Sequence, residues 1–347
     1  MKEIIAYSFP RAGFLGNPSD GYFGKTLSFA FNDFCVELRL VESGRMRFIP
    51  GVVDDATFAS PEELVRDLRL YGYYGGIRLL KAVSKRFFEY CMDNGIAIDR
   101  RNFTVSYKIN IPRLVGLSGS SAICSAMLKA LVSFYGVEIP IETMPTLCLE
   151  AERELGIECG FQDRVIQIYN GLVFMDFDRE FVEAHNFGRY DRLDVSLLPN
   201  LYISYDANRA EESGKAHRSV KRRFDNHNAD VVAAMSEFAD IAQKGRDALV
   251  SGRGDLLPGL VNANFDLRAR IFDIADENKR MVMTARSAGA SAKFAGSGGA
   301  IVGTFEDDAH FRVVQAALGT IGCTTIRPTI ATDDSAPGKT TGKWRTA

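Results

Sequence analysis

The chain lacks an excess of charge of either sign, and it has few of the residues that build metal or disulfide scaffolds. Its 347 residues hold 42 Lys and Arg against 44 Asp and Glu, a formal net charge of −2. A dedicated nucleic-acid binder is usually clearly basic, so this balance argues against nucleic acid as a partner. The one basic cluster, Lys215, His217, Arg218, Lys221, Arg222 and Arg223, reads as a solvated helix face. The six cysteines (Cys35, Cys91, Cys124, Cys148, Cys159 and Cys323) contain no CxxC pair and no dense disulfide spacing, which points to a reduced cytoplasm. The four histidines, His185, His217, His227 and His310, are scattered and offer no zinc site. No apolar run approaches the roughly 20 residues that span a bilayer. The start, from Met1 to Tyr7, becomes strand-like at once and has no secretory apolar core. No membrane partner is expected.

What is present is a pair of small-residue loops. Pro112 leads through Arg113, Leu114 and Val115 into Gly116-Leu117-Ser118-Gly119-Ser120-Ser121-Ala122. The pattern then turns helical through Ile123, Met127, Leu128, Leu131 and Val132, apolar positions three or four residues apart. Side chains this small let backbone N–H groups approach an anion, and the new helix presents its positive end to the same place. Phosphate binding is the functional reading. The bland alternative is a Gly/Ser loop with a serine N-cap. The second loop is Lys293-Phe294-Ala295-Gly296-Ser297-Gly298-Gly299-Ala300, between a helical stretch over 277–289 and a strand-like run over 300–305. This second loop is neither a dinucleotide fingerprint nor a Walker loop. The one Gly-Lys-Thr, Gly338-Lys339-Thr340, has Asp333 where the first Walker glycine belongs, and is a decoy.

Around these loops the periodicities predict strands near 4–8, 26–31, 34–40, 103–109, 171–177 and 201–205. Helices are expected to open at Pro61 after Ser60, over 76–94, 119–135 and 142–155, and through most of 214–290. Strands follow near 300 and 325, and a polar tail ends the chain. There is no repeat and no long linker. This mixture suits an α+β architecture with segregated strands and helices.

With a third segment, Arg11-Ala12-Gly13-Phe14-Leu15-Gly16-Asn17-Pro18-Ser19-Asp20, the two loops form three motifs in order. Together they resemble the GHMP family of small-molecule kinases. The likeness continues through Gly72 to Gly76, Gln162 to Val165, Ser213 to Lys215 and Asn264 to Asp266. Within the family it is most similar to the plant-type branch that phosphorylates glucuronic acid at its anomeric hydroxyl.

The resemblance implies a two-domain fold. An N-terminal domain over 1–195 would resemble a ribosomal-protein domain, and a C-terminal domain over 196–335 would be ferredoxin-like. Residues 336–347 would be a tail, and the glycine loop would fold back onto the phosphate loop. ATP would be held by Pro112, Gly116, Leu117, Ser118, Gly119, Ser120, Ser121, Ala122, Gly296, Ser297 and Gly298. Mg2+ would be held by Ser121 and Glu152, with Glu150 as the fallback; Glu152 lies eleven residues before Asp163. Glu150, Glu152 and Glu154 alone would read as a solvated helix end.

Asp163 is the implied catalytic aspartate, as base or as an orienting carboxylate; its bland alternative is a cap or a pair with Arg164. Arg11 would stand beside it and offset charge on the transferring phosphoryl group. Asn17, Asp20, Tyr74 and Arg268 are the candidate sugar ligands. For a uronate carboxylate, Arg78, Arg113, Lys25, Lys215 and Arg268 are candidates. Tyr73 and Tyr74 would wall the sugar or the adenine, or simply fill the core. Lys293 could touch phosphate. Rival readings are a kinase for galacturonate, galactose or fucose, and a nucleotide- and sugar-sensing regulator without turnover.

Overall fold

The protein was analysed as a computed structural model, which describes residues 2–51, 54, 60–61, 75–157, 159–206, 214–333 and 335, the side chains of 214–218 excepted. Beyond Pro61 itself, the helix expected to open there lies outside that range, as do Tyr73, Tyr74, Ser213 and the tail over 336–347.

Among the described residues, three four-stranded sheets organise the chain. The first runs β1 (Glu3–Ser8), β4 (Val36–Ser43), β6 (Asn102–Ile109) and β5 (Arg47–Phe48). Strict alternation sets its faces: Val36, Leu38 and Leu40 turn inward beside Phe103, Val105 and Tyr107, while Glu37 and Arg39 turn out. Helix α2 (Gly119–Tyr135) lies on that inner face. It is buried on nearly every side and built of Ala, Ser, Cys and Leu, as a central helix should be. Gly136 ends it in the left-handed region, φ 67°, with its N–H returning to the Val132 carbonyl. Flanking it are α1 (Gly76–Asp93), whose Leu79, Leu80, Val83, Phe87 and Cys91 form one buried stripe, and α3 (Met144–Glu154).

The second sheet runs β2 (Arg11–Leu15), β3 (Lys25–Ala30), β7 (Leu172–Asp176) and β8 (Arg189–Leu193), all antiparallel. It packs against α4 (Gln162–Tyr169) and the later helix α7 (Ala229–Val250). A short α5 (Arg179–His185) separates β7 from β8.

The third sheet joins β9 (Leu201–Tyr205), β10 (Lys293–Phe294), β11 (Ala300–Thr304) and β12 (Thr324–Ile326) in the order β12-β9-β11-β10, antiparallel throughout. Helices α6 (Gly214–Asp225), α7, α8 (Leu257–Ile271) and α9 (Asp276–Ser287) connect β9 to β10, and α10 (Asp308–Gly319) connects β11 to β12. A βαββαβ chain with the last strand beside the first is the ferredoxin-like arrangement, as expected for this half. The sheets are tied together by backbone. Gly13 N–H donates to the Ala295 carbonyl at 2.7 Å, and the segment after β12 returns so that Asn32 N–H meets Thr329 O at 2.8 Å and Gly171 N–H meets Ala331 O at 2.6 Å. The α+β expectation holds. Strands β2 and β8 and helix α4 were not anticipated. No helix among the described residues is long and apolar enough to cross a membrane.

Candidate active site

The three motifs meet on one side chain. Arg11, at the start of β2 and 5% exposed, grips Asp163 with two donors, Nε to Oδ1 at 2.6 Å and Nη2 to Oδ2 at 2.9 Å. Its remaining nitrogen, Nη1, donates to the carbonyls of Gly116 in the phosphate loop and Ala295 in the glycine loop. One guanidinium thus fixes β2, both loops and the first turn of α4.

The loop geometry bears on the serine N-cap alternative. Ser118 occupies the cap position of α2 in the left-handed region, φ 60°, and its side chain makes no capping bond. Its hydroxyl donates to Asp163 Oδ2 instead. Ser118 therefore does not cap α2 through its side chain, and small residues at the positive end of the helix face the cavity. The two loops touch backbone to backbone. A Cβ on Gly116, whose φ is +73°, would meet the Gly298 carbonyl at 2.6 Å, and one on Gly296 would meet the Gly116 carbonyl at 2.2 Å. Only glycine permits that approach.

Asp163 sits at the second position of α4 with its side chain 20% exposed. Burial alone would raise its carboxyl, but the charges of Arg11 and Arg164 with bonds from Arg11 and Ser118 hold it down to about 2. Asp20 is the counterpart. Its Oδ2 accepts from the Gln162 N–H at 3.1 Å, and a Cβ on Gly160 would strike that oxygen at 2.0 Å. Burial, with the charge of Asp163 next, pushes the Asp20 carboxyl up to about 6. Two neighbouring carboxylates are held apart in acidity by their surroundings.

The three glutamates of α3 divide as helical spacing requires. Glu150 pairs with Arg86, and Glu154 with Lys85 and Arg86, on the surface toward α1. Glu152 points the other way and is fully buried, its Oε2 clasped by Arg164 and its Oε1 3.4 Å from the Ser121 hydroxyl. The solvated-end reading holds for Glu150 and Glu154 and fails for Glu152. The fallback on Glu150 is set aside with it. Burial pushes the Glu152 carboxyl up against the pull of Arg164. Among the described residues no three His, Cys, Asp or Glu side chains gather as a metal site. Magnesium, however, takes one or two hard protein oxygens and fills its shell with phosphate and water. Ser121 Oγ and Glu152 Oε1 beside the phosphate loop fit that requirement.

Lys293 and Arg268 are placed otherwise than expected. Lys293 is 1% exposed; its ammonium donates to Gly13 O at 2.6 Å, to Phe294 O at 2.8 Å and to Asn17 Oδ1. Burial first, then Arg268 and Arg11, pushes it well below the ordinary lysine range. It fastens the first motif to the third and is not presented to phosphate. Arg268, 4% exposed, spends Nη1 on Gly296 O and Nη2 on Ser297 O, both at 3.0 Å, and packs on Phe272 and Phe294. It supports the glycine loop while also facing the cavity, so two of its donors are already spent on the protein. Asn17 is engaged through Oδ1 by Lys293 and through its carbonyl by Asn264.

A cavity of about 780 Å³ joins these parts, within the range of small-molecule sites. Arg11, Asn17, Asp20, Pro112, the stretch from Gly116 to Ser121, Asp163, Arg268, Gly296 and Ser297 line it. Ile109, Ile111, Arg113 and Leu114 line it too, as do Tyr22, Phe23, Arg153, Ile157, Phe161, Val182 and Lys221. Ala122 lies behind the loop, fully buried, and Gly298 touches Gly116. Lys25 is off the cavity, paired with Asp176 at 3.3 Å, and Arg78 is exposed on α1. Tyr74 and the side chain of Lys215 fall outside the described residues. Arg153 and Gln162, both in the cavity wall, escaped the sequence reading. Arg153 was hidden among the glutamates of α3, although its place next to Glu152 was a usable signal.

The chain is similar to known proteins along most of its length. The family model for the GHMP kinases N terminal domain matches residues 78–171. "Probable glucuronokinase 2" of Arabidopsis thaliana is 47% identical over 302 residues, covering 85% of this chain and 82% of the relative. Glucuronokinase 1 of the same plant is 44% identical over 301 residues, with 85% and 83% covered. The crystal structure of Lactococcus lactis galactokinase complexed with galactose superposes with a TM-score of 0.74 at 14% identity, over 95% of this chain and 94% of that one. With its motifs converging on Arg11 and this likeness along most of its length, the chain belongs to the GHMP kinase family.

Proposed function

We infer that the protein is an ATP-dependent sugar-1-kinase acting on D-glucuronic acid, yielding glucuronic acid 1-phosphate and ADP. The observation that carries this reading is the Arg11–Asp163–Ser118 constellation at the positive end of α2, together with the glucuronokinase relatives. Phosphoryl transfer asks a protein for positioning and charge more than covalent chemistry. The backbone from Gly116 to Ser121 and the glycine loop at Gly296, Ser297 and Gly298 cradle the ATP phosphates, with Pro112, Leu117 and Ala122 shaping the loop. Ser121 and Glu152 would hold Mg2+, which would supply charge neutralisation of the phosphates.

The bond from the terminal phosphorus to the ADP oxygen breaks as the bond to the anomeric oxygen forms. Asp163 accepts the hydrogen bond of that hydroxyl. A carboxylate held at about 2 is a weak base, so its main work is orientation. It takes the proton late, once the anomeric oxygen has bonded to phosphorus. Arg11 holds Asp163 ionised and faces the transferring group. Asp20 and Asn17 receive sugar hydroxyls. Residues 1–195 and 196–335 are read as the two domains of the family, and the cytoplasm as the setting.

The test is product analysis by phosphorus NMR after incubation with Mg-ATP and glucuronate. The expected product couples phosphorus to the anomeric proton and loses phosphate in acid. Phosphorus coupled to any other ring proton would overturn the assignment.

A further inference from the structure

The reading as a glucuronate kinase leaves a specific need: a cation for the sugar carboxylate, in a cavity that already holds Asp20 and Asp163. Six cationic side chains line the cavity among the described residues: Arg11, Arg113, Arg153, Arg164, Lys221 and Arg268. Arg11 and Arg164 are committed to Asp163 and Glu152, and Arg268 to the carbonyls of the glycine loop. Arg113 belongs to the stretch entering the phosphate loop and is not without a partner of its own. Lys221 pairs with Asp225 one turn along α6 and is more than half exposed.

We propose that Arg153 is the specificity residue that receives the uronate carboxylate. It sits in the last turn of α3, exposed, beside buried Glu152. Its flanking acids turn away from it: Glu150 and Glu154 pair with Arg86 and Lys85 on α1. Its guanidinium lies 5.9 Å from the centre of the Phe161 ring, and it makes no ion pair among the described residues. Phe161 in turn is two residues from Asp163 and stacks on Phe177 at 5.5 Å. The ring therefore carries the guanidinium on the segment that positions the anomeric hydroxyl.

Carbohydrate geometry supports the placement. In a pyranuronate the carboxylate hangs from the ring carbon that shares the ring oxygen with the anomeric carbon. A sugar with its anomeric hydroxyl at Asp163 thus keeps its carboxylate on the ring edge next to that hydroxyl, and Arg153 would meet it with that edge turned toward the segment between α3 and α4. A planar guanidinium offers two parallel donors to a carboxylate and nothing comparable to a hydroxymethyl group.

This inference rests on the proposed function, and the experiment separates the two. Steady-state kinetics would compare glucuronate with glucuronamide, its neutral counterpart, in the native protein and in Arg153→Gln, Arg153→Lys and Lys221→Gln. The native protein is expected to prefer glucuronate. Arg153→Gln should reduce that preference by about tenfold or more, through KM rather than kcat. Arg153→Lys should restore part of it, and Lys221→Gln should change it by less than about threefold. A preference unchanged in a folded Arg153→Gln protein, or one lost in Lys221→Gln instead, overturns the assignment of Arg153 while the kinase reading stands. A native protein that turns over neutral sugars but not glucuronate overturns the substrate reading, and this inference with it.

Discussion

Asp20 and Asp163 are neighbours with opposite thermodynamic signs. Asp163 is ionised more readily in the fold, at about 2, than in the unfolded chain. Its contribution to stability is present above the ordinary carboxylate range, near 4, and is lost as pH falls toward 2. Asp20 has its folded value raised to about 6. Its contribution is complete below the unfolded value and is lost as pH rises through 6, so at pH 8 its charge is a standing cost. Asp20→Asn should therefore raise the melting temperature at pH 8 while weakening sugar binding, a trade of stability for function. Asp163→Asn should lower the melting temperature by leaving the Arg11 charge buried, at a cost of roughly 3 kcal/mol. It should also reduce kcat by about a hundredfold or more. Calorimetry on the two variants at pH 8 checks the signs; equal shifts would contradict the account. The pair also sets the acid limb of activity. As pH falls through about 6, Asp20 gains a proton and ceases to be a full acceptor, so KM for the sugar should rise there. The Asp20→Asn protein should lack that limb.

Among the elements, the two glycine-containing loops were the most legible in the sequence, because small residues before a helical period leave few physical explanations. What composition could not supply was the contact between them. Gly116→Ala and Gly296→Ala each drive a methyl group into a backbone carbonyl, and backbone cannot step aside as a flexible side chain does. Each should raise KM for ATP by about tenfold or more with the core strands intact; equilibrium nucleotide titration checks this, and native affinity would refute it. Lys293 was misjudged for a related reason. A lysine before a glycine loop looks solvated in sequence, while its burial depends on Gly13 and Asn17, some 280 residues away. The glutamates of α3 show the converse, since helical spacing alone separates Glu152 from Glu150 and Glu154. A strand as short as β10, two residues long, carries no readable period and becomes visible only once paired.

At the scale of the whole molecule, the fold brings together segments from the first, second and last thirds of the chain around one cavity. Arg11 is the common point, and the ferredoxin-like sheet serves to return the glycine loop to it. The family and the α+β class were legible because the three motifs are short, ordered and unusual. The route by which residues 329–331 close back onto Asn32 and Gly171 was not, since backbone bonds leave no trace in residue type. The central claim is the chemistry performed in that cavity. The most direct test is the rate of ADP release with Mg-ATP across glucuronate, galacturonate, galactose, glucose and fucose. The account predicts preferential turnover of glucuronate; a preference for a neutral sugar, or no ADP release from any of the five, would contradict it.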